Sequence, residues 1–132
     1  MARLEGVPKE QVYVVWGEVR KIIRPHIEAL ETHTICDVLD NILNRDWQLW
    51  LAHDDGIKAV CITQIQVYPR QKRCRIMLVA GEGMDGWLPF EEAIADWART
   101  QGCDKLVGEL RKGWQRKLKH WKFMNIVAER KL

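Results

Sequence analysis

Residues 73–80, Arg-Cys-Arg-Ile-Met-Leu-Val-Ala, form an apolar strand candidate that runs straight into the cluster Gly81-Glu82-Gly83-Met84-Asp85-Gly86. A helix follows over residues 86–101, where Trp87, Phe90, Ile94, Trp97 and Ala98 share one stripe and Glu91, Glu92, Asp96 and Arg99 lie elsewhere. Gly102 stands where a C-terminal cap belongs. Each flank has its own periodicity, so the glycine turn is pinned as the junction between a sheet and a helix. Beyond it, residues 105–110 read as a short strand. Trp114, Leu118 and Trp121, at i, i+4 and i+7, read as a basic helix, and residues 126–129 as a closing strand.

Upstream, Pro8 suits a first helical turn, and Val12, Val15, Trp16, Val19, Ile22 and Ile23 predict an amphipathic helix over 8–23, stopping near Arg24-Pro25. Ile35, Val38, Leu39 and Ile42 predict a second helix over 34–44, with Thr32 or Thr34 as its cap. At Trp47 the period changes to two. Trp47, Leu49 and Leu51 alternate with Gln48, Trp50 and Ala52, and Asp54-Asp55-Gly56 supplies residues that tolerate positive φ. A long strand over 57–68 turns through Pro69-Arg70-Gln71-Lys72 into strand 73–80. Val60, Ile62, Ile65, Met77, Leu78 and Val79 make both faces apolar in mid-strand, which predicts a sheet covered on both sides.

A chain of 132 residues with 47% apolar content fits one domain with one core, residues 1–132. No apolar run is long enough to span a membrane, and the first six residues lack the apolar stretch of a secretory leader, so an intracellular protein is expected. Cys36, Cys61, Cys74 and Cys103 are widely spaced and read as free thiols. Only His33 and Cys36 have close spacing among His26, His33, Cys36 and His53, and without a CxxC pair no metal site is expected. The net charge of +3 hides an asymmetry: Arg111, Lys112, Arg116, Lys117, Lys119 and Lys122 put six of 21 basic residues into twelve positions free of acids. Such a face attracts phosphate or an acidic partner, although a solvated helix face is the commoner origin of this pattern. Seven tryptophans, several on apolar stripes, are read first as core residues.

The order helix, helix, three antiparallel strands, helix, strand, helix, strand resembles the GNAT (N-acetyltransferase) superfamily, with the usual first strand absent or reduced to residues 3–7. The resemblance implies an α+β fold with a mixed, mainly antiparallel central sheet and helices on both faces. More specifically, Asp96-Trp97-Ala98-Arg99-Thr100-Gln101-Gly102-Cys103, then Arg111-Lys112-Gly113-Trp114, then Leu118 and the terminal strand, is similar to small GNAT-like proteins encoded by tailed bacteriophages. Those are often found among virion-assembly genes.

In that superfamily the strand entering the glycine loop splays from its neighbour, and its backbone holds the pantetheine arm of acetyl-CoA. The matching residues are Met77, Leu78 and Val79. The loop's N–H groups and the helix N-terminus hold the pyrophosphate, which here implicates Gly81, Gly83 and Gly86. The loop departs from the family spacing, lacks the leading Gln or Arg, and carries Glu82 and Asp85, whose charges oppose a pyrophosphate unless they point away. Asp85 equally suits a helix cap. Arg111 and Lys112, at a strand-to-helix junction, are the best placed cations for an anionic ligand.

The family's proton donor is commonly a tyrosine in the penultimate helix. Aligning Phe123 with the aromatic that ends that helix puts Leu118 at the tyrosine position, and an alkyl group donates no proton. His120 is the nearest titratable replacement, and Glu109, at the end of the short strand, is the candidate base, with Arg111 as an equally reasonable ion-pair partner.

These departures favour a catalytically degenerate bacteriophage-type protein that acts by binding. It would be a virion-associated structural or assembly component, or a binder of a host or phage protein, located in the host cytoplasm or the virion. No cofactor is expected on that reading. The alternative is an active acetyl-CoA-dependent N-acetyltransferase, and a third reading makes the basic helix 111–122 a nucleic-acid contact.

Overall fold

The computed structural model describes residues 3–81, 87–109, 116, 118–124 and 127–132. Strand β1 (Arg3–Gly6) leads through a 3-10 turn (Lys9–Gln11) into helices α1 (Val12–Leu30) and α2 (Ile35–Leu43). Strands β2 (Trp47–His53), β3 (Ile57–Val67) and β4 (Lys72–Gly81) follow, then helix α3 (Trp87–Thr100) and strand β5 (Lys105–Gly108). The five strands lie in sequence order, antiparallel from β1 to β4, with β5 parallel to β4. The parallel step follows from chemistry already visible in the chain: a helix between two strands is the crossover a parallel pair requires.

Both faces of the sheet are covered. On one, Val12, Trp16, Val19, Ile23 and Ile27 of α1 and Val38 and Ile42 of α2 pack on Trp47, Leu49, Leu51, Val60, Ile62 and Ala80. On the other, Ile94 and Ala98 of α3 pack on Trp50, Cys61, Cys74 and Ile76. Trp50 meets Trp97 edge to face, ring centroids 5.2 Å apart.

Helix α1 continues past the predicted stop at Arg24-Pro25 and holds Pro25 in its interior. Proline forfeits one backbone hydrogen bond. Ile27, four residues after the buried Ile23, extends the apolar stripe and offsets that loss with further burial. The helix ends at Glu31 in the left-handed region, φ 58°. Thr34, rather than Thr32, caps α2. Its hydroxyl accepts from the Asp37 N–H at 3.2 Å, while the Asp37 carboxylate accepts from the Thr34 N–H at 2.8 Å, a reciprocal box. These bonds, the backbone one first, hold the Asp37 carboxyl below its ordinary range.

The predicted turns at residues 54–56 and at Gly102 form as read. Asp55 and Gly56 both take positive φ, and Gly102 does so at the end of α3, where Cys103 N–H reaches back to the Ala98 carbonyl at 3.0 Å.

Two elements differ from expectation. Residues 118–124 of the predicted basic helix run as a turn and irregular chain, closed by Trp121 N–H on the Leu118 carbonyl at 3.0 Å. Leu118 is buried and Trp121 half-buried against Ile94 and Ala98 of α3 through that single turn, so helical periodicity is not needed to reach the core. Residues 127–129 of the predicted closing strand are exposed and irregular. A strand owes its stability to pairing, and this segment has no paired neighbour among the described residues.

Thr63 is fully buried and ties three polar groups together. Trp50 Nε1 donates to its hydroxyl at 3.0 Å, and the hydroxyl donates to Gln48 Oε1 at 2.9 Å. Thr63→Val keeps the shape but strands the indole N–H, so a loss of about 1–3 kcal/mol is expected in urea unfolding. Equal stability of variant and parent would show that this network contributes nothing.

Candidate functional site

Strand β4 departs from regularity where it approaches the glycine loop. It pairs with β3 as Val79↔Cys61 and Leu78↔Ile62, then as Ile76↔Thr63, so Met77 is an extra residue, a β-bulge. A bulge bends its strand and disrupts the ladder locally. The switch is visible in the burial: Cys74 and Ile76 belong to the α3 face, Met77 and Leu78 to the α1 face, and Val79 returns to the α3 side.

On its other edge β4 pairs with β5 from Arg73↔Lys105 to Ile76↔Gly108, and there the described pairing ends. Met77, Leu78 and Val79 therefore present a backbone edge with no β5 partner among the described residues. Unpaired N–H and C=O groups along such an edge are ready donors and acceptors for an extended ligand. Bulge and loss of pairing coincide to within one residue, as expected if the bulge itself turns β4 away from β5.

Gly81 ends the strand with φ +121°, and a Cβ built there would lie 2.6 Å from the Ala59 Cα. Only glycine fits this position, for conformation and for space alike. The remaining loop candidates, Gly83 and Gly86, together with Glu82 and Asp85, lie outside the described residues, as do Arg111 and Lys112.

Glu109 stands one residue beyond the last β4–β5 pair, at the fork between the strands. Its described partner is Arg75 of β4, 3.5 Å away, across an exposed surface where such a pair contributes little. Leu118 is 2% exposed and serves as a core residue.

His120 is not an isolated surface histidine. Its Nε2 lies 2.8 Å from Glu91 Oε1, and Trp121 Nε1 donates to the same oxygen at 2.6 Å. Glu91 had been placed off the apolar stripe of α3, yet it is 5% exposed. A signal for this existed: Glu91, Ile94 and Ala98 are spaced i, i+3 and i+7, which sets the carboxylate on the buried side of the helix. No sequence pattern connects Glu91 with residues 29 and 30 positions downstream.

The cysteines are free, and the buried ones are poor nucleophiles. Burial pushes the Cys61 thiol far up and the Cys74 thiol to about 11, while partial burial also raises Cys103. The His33 and Trp47 rings meet at a 60° tilt, centroids 5.1 Å apart, and among the described residues no three His, Cys, Asp or Glu side chains converge as metal ligands. A separate open groove of about 820 Å³ lies at the β1–β2 edge, lined in part by Lys9, Arg45, Gln48 and Trp97, away from the β4–β5 fork. No described helix is long and apolar enough to cross a membrane.

No protein-family model matches the chain. No curated protein matches it in sequence either. Solved structures do match. The chain superposes on a ribosomal-protein-alanine N-acetyltransferase from Brucella melitensis biovar Abortus 2308 with a TM-score of 0.69 at 12% identity, covering 99% of this chain and 100% of that one. A glucosamine-6-phosphate N-acetyltransferase from Arabidopsis thaliana gives 0.68 at 12% identity, with 99% and 98% covered. A predicted acetyltransferase from Clostridium acetobutylicum, solved with acetyl-CoA, gives 0.67 at 14% identity, with 100% and 96% covered. The architecture is thus the GNAT acetyltransferase fold, a mixed α+β domain around a mostly antiparallel five-stranded sheet. At these identities the likeness concerns the fold.

Proposed function

We propose that this chain binds an acyl-coenzyme A along the open edge of β4 and transfers the acyl group to an amine. The observation that carries this reading is the coincidence of the Met77 bulge with the end of β4–β5 pairing at Ile76 and Gly108. That coincidence leaves a row of β4 backbone groups without a β5 partner among the described residues, which suits the amide-bearing pantetheine arm. Met77, Leu78 and Val79 would hold it. Gly81 lets the chain turn closely over Ala59 at the mouth, and Gly83, Gly86, Arg111 and Lys112 are the candidates for the phosphates. The bound thioester supplies an activated acyl group; the protein's share is to orient it and to manage one proton. The acetyl-CoA complex of the Clostridium acetobutylicum neighbour supports the choice of ligand.

Millimolar acetyl-CoA, at about 100 times its dissociation constant, is expected to stabilise the native state by about 2.7 kcal/mol and to raise the thermal midpoint by roughly 8–10 °C. An unchanged midpoint together with a silent calorimetric titration would remove this reading.

A second reading has one specific observation in its favour. Leu118, which aligns with the family's proton donor, is buried and chemically inert. A protein that kept the scaffold and works through contacts with a virion or host protein would tolerate that change. Its mark is an acetyl-CoA titration without heat and a defined protein that copurifies in stoichiometric amount.

A further inference from the structure

Among the described residues, the buried polar side chains are Thr63 and Glu91. Thr63 is accounted for by Trp50 and Gln48. Glu91 is a carboxylate set between the apolar face of α3 and residues 118–121, where an unmatched charge is costly. It is matched by two N–H donors on one oxygen, Trp121 Nε1 at 2.6 Å and His120 Nε2 at 2.8 Å. We infer that Glu91 and His120 form a proton-transfer dyad, in which Glu91 is the positioning residue and His120 Nδ1 carries the proton of the reacting amine. The inference rests on the acyl-transfer reading above.

The geometry points the imidazole the right way for this work. A carboxylate only accepts, so the ring nitrogen facing Glu91 is the protonated one, and Nδ1 is left as the proton-accepting site of the neutral ring. The His120 side chain is 59% exposed, while that of Glu91 is 6% exposed, so the carboxylate is shielded and the imidazole is reachable. Trp121 and Val79 pack against the same apolar cluster, on the α3 face of the sheet. Glu109, the other candidate base, faces Arg75 at 3.5 Å on an exposed surface and has no buried partner among the described residues. Among the described residues, the charged groups next to His120 in space or along the chain are Glu91 from α3, Lys119 and Lys122.

In the proposed step, Nδ1 accepts the proton released by the amine as its nitrogen bonds the acyl carbon and the carbon–sulfur bond breaks. The imidazolium, held against Glu91, then returns that proton to the departing thiolate. One amide and one thiol result, with no net proton taken up and no further reactant.

The test compares the parent protein with Glu91→Gln, His120→Gln and Trp121→Phe. Calorimetry with acetyl-CoA comes first, followed by chromatographic measurement of coenzyme A released with small primary amines, with an alanine-terminated peptide, and with water alone. Glu91→Gln keeps an acceptor oxygen for both donors, so its fold is preserved while its charge is removed. We expect all four proteins to bind acetyl-CoA similarly, and His120→Gln to lose about 100-fold or more in kcat. Glu91→Gln is expected to lower kcat with KM unchanged, because the imidazole loses the carboxylate that orients it. A readout independent of turnover is the Trp121 indole N–H resonance, identified by its loss in Trp121→Phe. It should move with pH in the parent and stop moving in His120→Gln.

Absence of binding would remove the acyl-CoA reading and the dyad together. Binding without coenzyme A release with any acceptor would remove the transfer step and the dyad with it, whereas full activity in His120→Gln, an unchanged kcat in Glu91→Gln, or an indole resonance indifferent to pH would each overturn the dyad alone.

Discussion

Gly81→Ala is expected to lose about 3 kcal/mol or more of stability, enough to threaten folding of a domain of ordinary stability. Two independent effects add at this position. The backbone sits at φ +121°, where a side chain is strained whatever the space around it. The new Cβ would also lie 2.6 Å from the Ala59 Cα, and that neighbour is main chain of a paired strand, which cannot swing aside as a flexible side chain would. Urea unfolding of the purified variant checks the value. A loss under about 1 kcal/mol would mean that the end of β4 relaxes readily, and that the mouth of the fork is not held rigidly against β3. If acetyl-CoA binds the parent, the residual folded variant should bind it more weakly, because the segment displaced is the one that leads into the loop.

Ile23→Ala is expected to cost about 4 kcal/mol. Ile23 has no exposed surface and packs in the cluster that joins α1 to the sheet, so truncation leaves a cavity as well as removing buried methylenes. Ile22, beside it on the predicted stripe, is only half-buried, and Ile22→Ala should cost clearly less, about 1–2 kcal/mol. Equal losses at the two positions, measured by thermal or urea unfolding, would mean that α1 is rotated from the orientation described. The same comparison probes the continuation of α1 through Pro25, since Ile27 lies on the same stripe as Ile23.

The extent of α1 illustrates where local reasoning gives way. Proline disfavours the middle of a helix, and the residue before it is pushed from the helical region, so a stop near Arg24 is the expectation from local rules. Those rules describe a local cost of a few kcal/mol, whereas Ile23 and Ile27 anchor both sides of Pro25 in the core. Burial outweighs the local preference. The strands were easier to read because their signal is redundant: alternation, turn residues at Asp55 and Gly56, and β-branched side chains all agree. Residues 126–129 offer only a short apolar run, and with no neighbour to pair with among the described residues, the described part of that segment does not form a strand.

The site divides in the same way. Local order along the chain determines which strand enters the glycine turn, and the resemblance to the acetyltransferase superfamily then implicates Met77, Leu78 and Val79 on it. Whether β4 parts from β5 there depends on register between segments about 30 residues apart, which no local pattern encodes. Burial of Glu91 follows from its own helical spacing with Ile94 and Ala98, but its bonds to His120 and Trp121 arise when α3 and the C-terminal segment pack on one face of the sheet. Periodicity, turn chemistry and apolar content act over a few residues, so they establish the order of elements, the covered sheet and the glycine junction. A bulge, a β4–β5 pairing that ends at Ile76 among the described residues, and a shielded carboxylate paired with an imidazole are relations between distant segments, and packing of those segments creates them.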